Sequence, residues 1–172
     1  MAGELPAIAQ LDVPIGIKSL VELTPFEDIG LAVLRKGLPE IPVQSLIPPP
    51  GALEFPFILV HRTAPLQNWR GDPRFTDAGR LTVSVFVTDP DGIEKAQVIS
   101  EAVRVIMRQA WLEHWYFPNL GSIIRIELIN EATRSPDWAT SAGPVQFADL
   151  PTNVVRFESE YSMSVRRPRQ RV

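Results

Sequence analysis

At 172 residues, 45% hydrophobic and 22% charged, the chain is sized for one domain with a proper core and is not a disordered polymer. Its 0 cysteines exclude disulfides and thiolate metal sites, and a formal charge of -3 gives no overall attraction to nucleic acid. No apolar run is long enough to span a bilayer, so no membrane contact is expected. The opening Met1–Ala2–Gly3–Glu4–Leu5–Pro6 has no basic stretch leading into an apolar core, so no secretory signal is expected either.

Residues 1–23 lack a regular period and contain Pro6, Pro14 and Gly16, which predicts an extended N-terminal arm, either disordered or laid across a neighbour. A helix follows. Thr24 can cap it, Pro25 suits its first turn, and Glu27 completes a Thr-x-x-Glu capping box. Phe26, Ile29, Val33 and Leu34 form its apolar stripe, Lys36 complements the dipole in its last turn, and Gly37 stops it. Residues 39–56, with Pro48–Pro49–Pro50, read as a semi-rigid connector.

Phe57–Ile58–Leu59–Val60 is a continuous apolar run, which predicts a strand buried on both faces. A polar loop is expected from Arg62 to Gly79. Arg80 to Thr88 then alternates, with Leu81, Val83, Val85 and Val87 on one face and Thr82, Ser84 and Phe86 on the other. Asp89–Pro90–Asp91–Gly92 opens a second helix, whose stripe Ile93, Ala96, Ile99, Ala102, Val103, Ile106 and Ala110 should pack on a sheet. Trp111, Trp115, Tyr116 and Phe117 are expected to fill the edge of the core. Ser122 to Glu131 reads as a third strand, with Ile124, Ile126 and Leu128 inward and Arg125 and Glu127 outward. A second long loop runs from Ala132 to Thr152. The last strand, Asn153 to Arg166, puts Val155, Phe157, Tyr161, Met163 and Val165 on one face and Arg156, Glu158 and Glu160 on the other.

The fold class expected from this order is α+β: a mainly antiparallel four-stranded sheet with helices on one face, in the order α-β-β-α-β-β. Residues 24–167 form one domain in this reading, and 168–172 a basic C-terminal tail. Arg166 to Arg171 carries most of that positive charge, as a frayed end or as a contact to an acidic partner or to DNA phosphates.

No constellation for chemistry emerges. His61 and His114 are far apart, and no His-Glu-x-x-His, Gly-x-Ser-x-Gly, Gly-x-Gly-x-x-Gly or P-loop occurs. Glu158 and Glu160 stand on one strand face beside Arg156, which suits an ion-paired surface better than a catalytic carboxylate pair. No catalytic, cofactor-binding or metal-ligating residue is assigned, no cofactor is expected, and the chain is not expected to be an enzyme.

The string Arg74-Phe75-Thr76-Asp77-Ala78-Gly79-Arg80-Leu81-Thr82-Val83-Ser84-Val85-Phe86, the Ala/Val-rich helix, and the late strand ending Tyr161-Ser162-Met163-Ser164-Val165-Arg166-Arg167 carry a resemblance. Over residues 57–167 this order resembles the tail terminator (tail completion) proteins of long-tailed phages, especially those infecting actinobacteria. The arm and proline connector before residue 57 fall outside the resemblance.

The resemblance implies a tail-terminator-like fold and a structural protein of the virion, present in the host cytoplasm during assembly. Its expected form is a ring of identical copies, commonly a hexamer, that caps the tube of major tail protein, ends its polymerisation and joins it to the head-side connector or stopper. Genomic DNA would pass through the lumen without sequence-specific binding. The alternative is a head-closure stopper or another neck or tail-tube component of the same particle. A ring needs one patch to meet a different patch on the next copy. Arg125 with Glu127, and Arg156 with Glu158 and Glu160, are the candidates for a subunit or lumen surface. Trp69, Arg70, Asp72, Arg74 and Asp77 in the first long loop, and Trp138 in the second, are the candidates for contact with tube or connector.

Overall fold

The computed structural model describes residues 26–63, 76–88, 90, 92–135 and 153–168. Helix α1, Phe26–Gly37, starts with Glu27 and Asp28 and ends with Arg35 and Lys36, so both ends complement its dipole. It buries Phe26, Ile29, Leu31, Val33 and Leu34. Gly30 lets its backbone approach the sheet, because a Cβ there would stand 2.6 Å from the Leu81 side chain. Helix α2, Gly92–Leu112, turns Ala96, Ile99, Val103, Met107 and Ala110 inward at helical spacing.

The strands are β1 (Val43–Gln44), β2 (Phe57–Thr63), β3 (Thr76–Thr88), β4 (Tyr116–Phe117), β5 (Gly121–Arg134) and β6 (Val154–Arg166). They form one sheet in the order β1-β2-β3-β6-β5-β4. Only β1 runs parallel to its neighbour; the other pairings are antiparallel. The sheet curls into a half-barrel.

This corrects the expected four-stranded sheet in the order α-β-β-α-β-β: the sheet is mixed, with six strands. Both additional strands are two residues long, too short to show an alternation. Tertiary contacts hold them in place. The Arg35 guanidinium donates to the Val43 carbonyl at 3.0 and 2.8 Å, and Ile58 N–H donates to Pro42 O at 2.8 Å, fixing β1 on the connector. At the other edge, Ile123 N–H donates to Trp115 O at 2.9 Å and leads β4 into register. Trp115 itself is buried under the Lys36 ammonium, 4.0 Å from its ring centroid.

The main core lies between the helices and one sheet face. Ile58 and Val60 of β2, Leu81, Val83, Val85 and Val87 of β3, and Phe157, Tyr161, Met163 and Val165 of β6 meet α1 and α2 there. A second cluster sits on the opposite face, where Phe57, Leu59, Phe86 and Val154 are covered by Ile47, Leu53 and Phe55 of the connector. Phe57 and Phe86 stack with centroids 4.6 Å apart. The connector therefore closes one half of the helix-free face and leaves the other half polar.

Candidate interaction surface

The open half of the helix-free face begins where the second core cluster ends. Across β2, β3 and β6 the apolar residues give way to Thr63, Thr82, Ser84, Glu158 and Glu160. Thr63 and Thr82 share a hydrogen bond of 2.8 Å, and Ser84 donates to its cross-strand partner Glu158 at 3.2 Å. Asn130 of β5 donates to Glu160 at 2.8 Å, and Arg80 stands 3.7 Å from the same carboxylate. Thr63, Thr82, Asn130, Glu158 and Glu160, with Thr133, Arg134 and Ser135, line an open groove of about 410 Å³.

The predicted surface charges divide into two kinds. Arg125 and Glu127 form an exposed ion pair at 2.5 Å, with side chains 62% and 47% exposed. Such a pair contributes little to the fold, because water screens it. Glu160 is only 19% exposed and is engaged by Arg80 and Asn130. Arg156 is 16% exposed and donates to Ser135 Oγ at 2.7 Å. Thus Arg156 and Glu160 belong to a built network within the sheet, while Arg125 and Glu127 face solvent.

Of the predicted tube-contacting residues, Trp69, Arg70, Asp72, Arg74 and Trp138 lie outside the described residues. Asp77 is a correction. It lies within β3, opposite Val165, because that strand begins at Thr76 and the predicted loop to Gly79 ends earlier. Its carboxylate accepts from Arg167 Nη2 at 2.7 Å. Arg167 is also a correction to the frayed basic end: it is 4% exposed, and its Nη1 donates to Leu120 O at 3.4 Å. Arg169 and Arg171 lie outside the described residues.

Two exposed apolar rows are further surface features. On α2, Val98, Val105 and Leu112 point away from the core and are 64%, 59% and 61% exposed. Their heptad spacing, opposite the buried stripe, was the available signal in the sequence. On β5, Ile124, Leu128 and Ile129 are water-facing. Ile124 and Leu128 were expected in the core. A register shift between Ile123 and Arg125 takes Ile124 out of the alternation, whereas Leu128 keeps the face of Ile126 and is still 36% exposed, leaving Ile123 and Ile126 as the buried pair. Ile93, expected in the packing stripe of α2, is also exposed.

The two histidines do not form a site. His61 lies on β2 beside an open cleft of about 660 Å³ at the β1 edge, together with Glu27, Leu46 and Leu59. His114 adopts a left-handed conformation (φ 47°) after α2, and its Nδ1 meets Ile123 O at 3.1 Å. Among the described residues, no group of three His, Asp or Glu side chains is placed to hold a metal ion. No described helix is long and apolar enough to cross a membrane.

No protein-family model and no curated protein matches this chain. One solved protein, whose name describes no function, is 15% identical over 81% of this chain and 96% of its own, with a TM-score of 0.38. A likeness that slight carries neither fold nor activity across.

Proposed function

We propose that this chain is a structural subunit of the head-proximal tail of a long-tailed phage. Copies of it form a ring, expected to be a hexamer, that caps the tube of major tail protein and joins it to the head-side connector. The ring ends tube growth and leaves a lumen through which genomic DNA passes without being read.

The observation that carries this reading is the exposed row Val98, Val105 and Leu112 on a helix whose opposite side is fully packed. These three side chains lie along one line of a rigid helix and offer apolar contacts to a protein neighbour. The resemblance of the sequence order over residues 57–167 supports this type of assembly, and the exposed Arg125–Glu127 pair offers charges to fix register between copies. A cyclic assembly needs two different patches on each subunit, and α2 and β5 are two separate elements able to supply them.

Deleting the gene tests the proposal. Loss of a terminator leaves tails of uncontrolled length, and the purified protein restores normal length in extracts. Heads that fill and then leak DNA, beside tails of normal length, would point to a stopper and contradict the proposal.

A further inference from the structure

The two edges of the sheet are treated differently. At the β2 edge, β1 pairs with Ile58 and Leu59. The N–H of Arg62 is then taken by Glu27 Oε1 at 2.7 Å, so a side chain from α1 closes that edge. At the β5 edge, β4 pairs with Gly121 and Ser122 only. Trp115 and His114 engage the backbone of Ile123. From Ile124 to Arg134 no described residue pairs with the outer edge of β5. That edge holds the exposed Ile124, Leu128 and Ile129. An open edge with apolar side chains is a template for another strand.

We propose that in the free protein this edge pairs with the same edge of a second copy, antiparallel, with Ile126 opposite its own counterpart. The sequence around that point is complementary to its own reverse. With Ile126 on the two-fold axis, Arg125 falls opposite the second copy's Glu127, and Ile124 opposite its Leu128. Arg125, Ile126, Glu127 and Leu128 form an unbroken register on β6, so this stretch is regular enough to extend a ladder. The existing Arg125–Glu127 ion pair puts both charges on one face, so the two copies bring four charges together in alternating sign. β4 limits the ladder, because its cover of Gly121 and Ser122 stops a partner strand near Leu128. On the other side β1 and Glu27 already take up backbone groups of β2, whereas the β5 sequence matches its own reverse, so β5 itself is the matching surface.

A two-fold contact closes on itself and makes no ring. In the free protein the pairing therefore occupies the β5 charges that the proposed ring would use and opens before ring assembly; the mass of the free protein tests the pairing, and tail length tests the ring.

The test is light scattering after size exclusion over a concentration series, on the full chain. Wild type should run as a dimer that dissociates on dilution. Arg125→Glu puts two carboxylates opposite each other on both sides of the axis, and Glu127→Arg does the same with two guanidinium groups. Each alone should weaken the dimer by at least about ten-fold. The doubly exchanged Arg125→Glu/Glu127→Arg chain should dimerise again. The two single variants, mixed, should form a heterodimer. Circular dichroism should stay unchanged, because both side chains are exposed, and so should the melting temperature at dilutions where the wild type is itself monomeric. A monomeric wild type at every concentration overturns the inference, as does a dimer or larger assembly that the single exchanges leave intact.

Discussion

Asp77 and Arg167 bind β3 to the end of β6 through an ion pair at 2.7 Å, the arginine side chain 2% exposed and the aspartate 22%. Removing the carboxylate takes a charge-assisted hydrogen bond from a buried guanidinium, and that penalty exceeds what the pair contributes. Asp77→Ala should lower the unfolding free energy by about 3 kcal/mol in urea titrations. Asp77→Ala/Arg167→Met should cost clearly less than Asp77→Ala alone. Nearby, burial holds the Asp28 carboxyl above its ordinary value of 3.8; Glu27 adds to the rise, and Arg167 and Arg35 oppose it. Folding therefore takes up a proton between 3.8 and the higher folded value, so this group favours the folded state more below that window than above it. NMR titration of the Asp28 carboxyl should give a midpoint above 3.8, and Arg167→Ala should move it higher still. A midpoint at or below 3.8 would contradict the burial of this group.

At the scale of the elements, two glycines set how closely the pieces meet. Gly121 has φ +113°, and a Cβ there would run into the Arg166 carbonyl oxygen. Gly121→Ala should be strongly destabilising, about 2–4 kcal/mol, through both backbone strain and the clash with β6. Gly30→Ala should cost about 1–3 kcal/mol, because α1 must lift from a fully buried Leu81. Thermal melts of both variants provide the measurement.

The helices and long strands were readable because their periods run for many residues. Phe26, Ile29, Val33 and Leu34 are buried as their spacing required. Phe57–Val60 is buried on both faces, as its unbroken apolar run implied. β1 and β4 were not readable, because a two-residue strand has no period and exists only through its neighbours. The bulges in β5 were hidden for a related reason: an extra residue after Ile123 is invisible until β6 defines the register. The candidate surface was legible in part. Arg125 and Glu127 do face solvent, but Glu160 proved to be held by Arg80 and Asn130, which no spacing along β6 could reveal. A lysine at Glu160 would therefore disturb the fold itself, and Glu160→Lys should lose about 1–2 kcal/mol by chemical denaturation. A surface test belongs on α2 instead.

Across the whole molecule, the residues that hold the fold are separate from the exposed row on α2. Two clusters on opposite sheet faces hold the chain together, one under the helices and one under the connector. Val98, Val105 and Leu112 take part in neither. Replacing Val98 and Val105 by glutamine should change stability by less than about 0.5 kcal/mol per site, as expected for exposed positions. The same double variant should lose the ability to join tails in a complementation assay. A variant that is equally stable and still supports normal tails would remove α2 from the proposed contacts.

Arrest of a growing tube by copies of this chain can be watched directly. Purified major tail protein should be set to polymerise with and without this chain, and tube lengths and ends measured by negative-stain electron microscopy. With this chain present, short tubes of narrow length distribution are expected, each with a ring of extra density at one end. Tubes that lengthen to the same extent in both samples, with bare ends throughout, would contradict the proposed function.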